Sequence, residues 1–344
     1  MHRAKKRMNK AFFKWLLKAF VAGCIALGLL CGFCMLYYNV PVHHSNPYGS
    51  TDYVWEANKF YSRGIDGFAL GRTNNEGHNN LRDYHEGEHI DILLMGSSHM
   101  EGFNVPQDKS TAAVLNTLFA GEKYCYNIGT AGHTFLNQSK NLSDALERYA
   151  PEYVIMENFS VEYKQEEIQS VIDGTFPDNP SHSGGIIGML QRLPYLRLFY
   201  TQFFKDGSMA FGVGKKAAVE APPQPEAEPD FSLMMAPLLD MVAEACAEHG
   251  TKAIITFDSP LLIREDGSVY TETDSEKLME FARLCEERGI RFVDIRPAFI
   301  ESYETEHKLP YGFSNTSPGN GHMNIHGHSL FAQEVYKAIV EMEG

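Results

Sequence analysis

Acidic side chains are missing from the first 51 of the 344 residues, a stretch that holds seven of the 30 Lys/Arg. All 44 Asp/Glu come later, so the rest of the chain, with 23 basic residues, carries a strong negative excess. A body of that charge repels phosphate backbones, which argues against nucleic-acid binding. Long apolar runs are equally scarce. Only Ala19 to Tyr38 (AFVAGCIALGLLCGFCMLYY) is a predominantly apolar run of twenty residues without a charge, which excludes a multi-span membrane protein. Cysteine is sparse too: Cys24, Cys31 and Cys34 lie in that run and Cys125, Cys246 and Cys285 lie in apolar stretches outside it. That distribution excludes a disulfide-stapled mini-domain, and the Cys31-x-x-Cys34 spacing without a surrounding βαβ pattern reads as apolar filler. An apolar fraction of 44% with mean hydropathy of −0.28 excludes wholesale disorder.

The apolar run is long enough to span a bilayer. Arg3, Lys5, Lys6, Arg7, Lys10, Lys14 and Lys18 all precede it, and positive charge stays on the cytoplasmic side. The expectation is a basic cytoplasmic tail (1–18), a single-pass anchor (19–38) and an extracytoplasmic body. A cleaved signal peptide fits less well, because no A-x-A site follows the run. Val21-Ala22-Gly23-Cys24 resembles a lipobox, but cleavage there would leave Ile25 to Tyr38 as apolar residue.

Residues 39–90 show no sustained period and read as a juxtamembrane segment packing on the main domain. From residue 91 short apolar runs begin: Ile92–Met95, Tyr124–Ile128, Tyr153–Met156, Ala253–Phe257 and Arg291–Ile295. Amphipathic helical stretches separate them. Residues 275–288 place Leu278, Phe281 and Cys285 on one stripe behind a Thr273/Glu276 capping box, and residues 328–341 repeat Phe331, Val335 and Ile339. Strands alternating with such helices predict a three-layer α/β/α sandwich around a five-stranded parallel sheet, in one domain from 91 to 344. An insertion at about 160–232 interrupts the alternation. It holds an aromatic stretch (193–204) that reads as a lid, a partner surface or a core helix, and a Pro-rich loop (215–230).

In open parallel sheets ligands bind at the carboxyl ends of strands. The first run ends in Gly96-Ser97-Ser98-His99, where a turn into a helix could expose a serine hydroxyl beside free N–H groups; an ordinary N-cap is the alternative. The second ends in Asn127-Ile128-Gly129-Thr130-Ala131-Gly132-His133, the third in Glu157-Asn158. Before the last helix comes Gly319-Asn320-Gly321-His322-Met323-Asn324-Ile325-His326-Gly327-His328, which places a histidine where it could reach the serine.

In content and order these blocks resemble the SGNH (GDSL-like) hydrolase family over roughly residues 90–342. The resemblance implies a flavodoxin-like fold, Ser98 as nucleophile and His322 as its base, with an oxyanion hole from the Ser98 and Gly132 N–H groups and the Asn158 amide. Gly129 is the other candidate glycine. The family's aspartate three residues before the histidine is here Gly319, leaving Asn320 as the nearest polar group to orient His322. A Ser-His dyad, a carboxylate from elsewhere or weakened catalysis are then the choices; Asp258 and Asp294 lie at strand ends. His322, His326 and His328, with His99 or His133, also compose an imidazole set that could hold zinc. Neither a metal nor another cofactor is expected.

An anchored, outward-facing domain of this type resembles bacterial proteins that work beside membrane-bound O-acyltransferases in alginate acetylation and teichoic acid D-alanylation. The resemblance implies an O-acyl, foremost acetyl, transferase or esterase acting on a cell-envelope polysaccharide through an acyl-Ser98 intermediate, with an acylated glycan or acyl donor as substrate. A multi-span acyltransferase is the implied partner. The alternative is a catalytically weakened carbohydrate-binding or scaffold component.

Overall fold

A computed structural model of the chain describes residues 2–178, 193–203 and 230–344. The Pro-rich loop, apart from Asp230, and Phe204 lie outside the described residues. The centre is a five-stranded sheet of β6 (Ile92–Met95), β7 (Cys125–Asn127), β8 (Tyr153–Asn158), β9 (Lys252–Phe257) and β10 (Arg291–Asp294), all parallel, in the order β10-β9-β8-β6-β7. Register pairs Leu94 with Asn127 and Ile155, and Ile155 with Ile254.

Strand alternation divides the apolar side chains into two cores. Leu93, Met95, Val154, Met156, Ala253 and Ile255 face one side, with α4 (Phe135–Tyr149), α5 (Gln165–Ile172), α7 (Phe231–His249) and α8 (Ser275–Glu286). Ile92, Leu94, Tyr153, Ile155 and Ile254 face the other, with α3 (Thr111–Leu118), α9 (Arg296–Glu306) and α10 (Ile325–Glu343). A sheet apolar on both faces must be covered on both, and each fully buried Leu or Ile contributes about 1.5–3 kcal/mol to holding the layers together. The three-layer α/β/α architecture is therefore as the sequence pattern predicts. Two boundaries differ. Asp274, not Thr273, caps α8, its carboxylate accepting the Glu276 and Lys277 N–H groups. Helix α10 begins three residues earlier than the apolar stripe, because the Asn324 side chain accepts the His326 and Gly327 N–H groups.

Ahead of the sandwich, α1 (His2–Tyr37) contains a segment, Lys10–Tyr37, long and apolar enough to cross a membrane, its most apolar 18 residues having mean hydropathy 2.4. Its helical path stops at Tyr37; Tyr38, counted with the apolar run, opens a strand. Strands β1 (Tyr38–Asn39), β4 (Phe60–Arg63) and β5 (Ala69–Arg72) form an antiparallel sheet, while β2 (His43–Ser45) and β3 (Tyr53–Trp55) pair as a hairpin. The turn between β4 and β5 carries Asp66, with Gly67 at φ +80°. In the aromatic stretch, Pro194–Phe203 forms α6, packed on α1 and β1, with Arg197 Nη1 donating to Asn39 Oδ1 at 2.8 Å.

Candidate active site

The carboxyl ends of β6, β8 and β9 and the approach to α10 meet at one edge of the sheet. After β6 the chain turns sharply. Ser97 caps the four-residue helix α2 (Ser98–Glu101), its hydroxyl accepting the His99 N–H at 3.2 Å, so Ser98 holds the first helical position. A Cβ on Gly96 would lie 2.6 Å from Glu157 Oε2, which explains why glycine opens the turn. Glu157 Oε2 in turn accepts the Ser97 N–H at 2.5 Å, fixing the turn to β8.

Ser98 Oγ lies 3.1 Å from His322 Nε2. The other ring nitrogen, Nδ1, is hydrogen-bonded to Asp66 Oδ2. Asn320 does not reach the imidazole: its amide oxygen accepts the Gly321 N–H at 2.7 Å. The group facing His322 is therefore a carboxylate from the segment after the apolar helix, 256 residues away in sequence. Asp294 is committed elsewhere, to the guanidinium of Arg296. Burial pushes the Asp66 carboxyl up, but hydrogen bonds from His322 and Thr316 and the nearby imidazole outweigh it and hold the group below the ordinary aspartate value.

Asp66 is braced on several sides. Asn104 Nδ2 donates to its backbone oxygen at 2.7 Å, and Thr316 Oγ1 to Oδ1 at 3.3 Å. Asn315 closes the turn by donating to the Gly64 and Gly67 oxygens, each at 2.9 Å, and accepting the Gly67 N–H at 3.1 Å. The loops before α10 and after β4 are thus one hydrogen-bonded unit.

The candidate oxyanion donors sort by which N–H groups are already spent. Gly129 donates to Asn127 Oδ1 at 2.8 Å, and a Cβ there would lie 2.6 Å from the Glu101 nitrogen; this glycine serves close packing. Gly132 sits exposed at φ +82°, and its N–H and that of Ser98 have no partner among the described residues. Its loop is held at the site edge by Thr130 N–H bonding Gly96 O at 2.9 Å, by Ala131 N–H bonding Glu101 Oε1 at 3.3 Å and by Tyr53 O–H bonding Ala131 O at 2.6 Å. Asn158, buried at the end of β8, accepts the Tyr163 hydroxyl and the Ser160 N–H on Oδ1, which leaves Nδ2 as an unspent donor. Beside the His322 loop a cleft of about 400 Å³ is lined by Ser259, Glu272, Pro318 and Asn320, among others.

The remaining histidines disperse. His326 Nε2 contacts Ser302 Oγ at 2.5 Å, His328 Nδ1 contacts Thr111 Oγ1 at 2.8 Å within the core, and His133 lies 3.4 Å from Asp52. Burial lowers the His328 value to about 3. The zinc set composed from the histidine-rich block thus does not converge. His99, beside Ser98, instead turns inward: Nδ1 is 3.3 Å from Glu157 Oε1 and 3.8 Å from Asp258 Oδ2, both carboxylates being fully buried. Tyr311 donates its hydroxyl to Asp258. Burial opposes charging His99, but the Asp258 and Glu157 carboxylates more than reverse this and carry it up to about 10.

Sequence reasoning placed Ser98, His322, Gly132 and Asn158 at one sheet edge and missed Asp66. The only local sign was the Gly64-Ile65-Asp66-Gly67 turn in a segment without periodicity.

No family model matches the chain, and no curated protein does. Among solved structures, the chain is similar to the psychrotrophic esterase EstA from Pseudoalteromonas sp. (11% identity, 73% of this chain and 97% of that one, TM-score 0.38). It is also similar to an acetyl xylan esterase, AlAXEase (11%, 73% and 100%, TM-score 0.39). A third is a two-domain esterase active on acetylated mannans (12%, 74% and 49%, TM-score 0.40). At such scores the functional reading rests on the site's own geometry.

Proposed function

We propose that the protein is a serine-dependent O-acyl esterase or acyltransferase, with Ser98 as nucleophile, His322 as general base and acid, and Asp66 as the group that orients and charges-balances His322. The carrying observation is the unbroken line from Asp66 to His322 Nδ1 and from Nε2 to Ser98 Oγ at 3.1 Å. With Asp66 accepting at Nδ1, the ring proton is fixed there and Nε2 keeps its lone pair toward the hydroxyl.

His322 Nε2 takes the Ser98 proton as Oγ bonds to the acyl carbon. The negative charge on the former carbonyl oxygen falls to the N–H groups of Ser98 and Gly132 and to Asn158 Nδ2, and Asp66 stabilises the imidazolium. Collapse breaks the bond to the leaving oxygen, which receives the proton from His322, and an acyl-Ser98 ester remains. Water or a sugar hydroxyl, deprotonated by His322, then attacks the ester and releases Ser98. Asn320 takes no part in orienting the ring in this scheme.

The reading extends to location and substrate. The basic residues before the apolar helix support a cytoplasmic N-terminus and an extracytoplasmic domain. The cleft beside the His322 loop sets Ser259, Glu272 and Asn320 among apolar residues, Leu261, Leu262 and Ile263, and this mix supports a substrate that joins hydroxyl groups to a short acyl group, such as an acetylated cell-envelope polysaccharide. A multi-span O-acyltransferase in the same membrane would be the acyl supplier. The scaffold alternative drew its force from the lack of an acid near Gly319, and Asp66 removes that ground.

The deciding experiment is mass spectrometry of the full chain in detergent after exposure to a fluorophosphonate or a p-nitrophenyl acetate pulse. A covalent adduct on Ser98, lost in Ser98→Ala and strongly slowed in His322→Ala, is expected. An unlabelled Ser98 in folded protein would refute the proposal.

A further inference from the structure

Below the serine, three neighbouring strand ends send buried ligand atoms to one point. His99 follows β6, Glu157 is the penultimate residue of β8, and Asp258 directly follows β9. Their candidate atoms all lie within 4.8 Å of one another. Three of the atoms, His99 Nδ1, Glu157 Oε1 and Asp258 Oδ1, are buried without a hydrogen-bond partner. Glu157 Oε2 is spent on the Ser97 N–H, and Asp258 Oδ2, which faces His99 Nδ1, takes the Tyr311 hydroxyl, so each carboxylate keeps one buried oxygen without a partner.

Charge sharpens the problem. Both carboxylates are fully buried, and among the described residues the only basic side chain within ion-pair reach is His99. A proton on that imidazole supplies one positive charge against two negative ones, in a dry site where an uncompensated charge is costly. A divalent cation with neutral imidazole brings the sum to zero and satisfies all three orphaned atoms. The spacing suits it, since tetrahedral zinc with N and O ligands places them about 3.4 Å apart; His99 Nδ1 is 3.3 Å from Glu157 Oε1 and 3.8 Å from Asp258 Oδ2.

We propose that His99, Glu157 and Asp258 form a divalent transition-metal site, foremost for Zn²⁺, that ties the ends of β6, β8 and β9 together beneath the nucleophile turn. The set is distinct from the His322/His326/His328 block, and its mixed imidazole–carboxylate character favours zinc over calcium or magnesium. Its role is positional: it braces the Gly96–His99 turn and the Glu157–Asn158 strand end. It stands independently of the acyl-serine reading.

The test uses tag-free full-length protein in detergent, stripped with chelator and exchanged into metal-free buffer, then titrated with ZnCl₂ while metal content and thermal midpoint are followed. About one equivalent of zinc, with a rise in midpoint reversed by chelator, is expected. His99→Gln, Glu157→Gln and Asp258→Asn should each weaken zinc binding by about 10- to 100-fold or more, the range that loss of even an outer supporting group costs; His322→Ala should leave the stoichiometry unchanged. Zinc binding that survives all three substitutions would overturn the site. So would folded wild-type protein that takes up no zinc and keeps its midpoint; the cluster would then be an imidazolium held between two carboxylates. Should the carboxylate variants fail to fold, the wild-type titration and His99→Gln decide the matter.

Discussion

Replacing Asp66 by asparagine keeps the size of the side chain and removes its charge, which isolates what the carboxylate does for His322. An ion pair at about 4 Å is worth about 4 kcal/mol at an effective dielectric of 20. Asp66 and His322 side chains are 25% and 31% exposed, so water screens part of this, and about 2–3 kcal/mol of imidazolium stabilisation remains. At 1.36 kcal/mol per tenfold in rate, the expected loss in kcat is about 10²-fold, less than the roughly 10⁴-fold of a fully buried protease triad. KM for a small ester should barely move, because the carboxylate does not touch substrate. The assay is p-nitrophenyl acetate turnover by full-length protein in detergent at pH 7.5, beside Asn320→Ala, whose rate should stay within about twofold, since among the described residues its side chain bonds only the adjacent Gly321 N–H. Stability gives a second reading. Because Asp66 titrates below its ordinary 3.8 in the folded chain, its contribution is complete above that value and is lost as pH falls through the lower folded value. Wild type and Asp66→Asn should therefore differ in thermal midpoint at pH 6 and converge in strong acid. A kcat within threefold of wild type, or an Asn320→Ala variant as slow as Asp66→Asn, would refute the assignment.

Asn158→Ala should lower kcat by about 10²-fold with KM nearly constant, as expected for a lost oxyanion donor; an unchanged kcat would remove Asn158 from the site. Asn315→Ala deletes three hydrogen bonds around the Asp66 turn and should slow turnover while Ser98 still reacts with fluorophosphonate, so complete loss of labelling would count against a purely positional role. Gly129→Ala puts a Cβ 2.6 Å from the Glu101 nitrogen and should cost about 1–3 kcal/mol in a denaturant or thermal melt, through overpacking against backbone. His78, buried and lowered to about 4 chiefly by desolvation, makes the unfolded chain the stronger proton binder between that value and 6.5. Stability should accordingly fall as pH drops through that window, by up to about 1.4 kcal/mol per unit from this group, and the slope should flatten in His78→Gln.

Much of the architecture was legible in the chain because it follows from local periodicity. The five apolar runs became the five parallel strands because residues that alternate between two buried faces have no other way to hide both, and the strand ends then had to carry the chemistry. The turn at Gly96–Ser98 and the His322 block were equally readable, since each is set by neighbours within a few residues. Cap positions were less so: Asp274 and Thr273 are both good caps, and only the backbone path chooses between them.

What tertiary structure alone decided is which distant groups face each other. Asp66 sits in an irregular segment, and nothing in its neighbourhood distinguishes it from other turn aspartates; it meets His322 because the β1–β4–β5 sheet and Asn315 deliver its loop there. The convergence of His99, Glu157 and Asp258 is of the same kind, three strand ends brought together by sheet order and not by spacing. Sequence pattern determines which surfaces must be buried, because burial is a property each segment carries with it. Partnerships between polar groups arise only when the chain closes on itself, so Ser98 and His322 could be picked out from the sequence, and only the fold set the Asp66 carboxylate against His322.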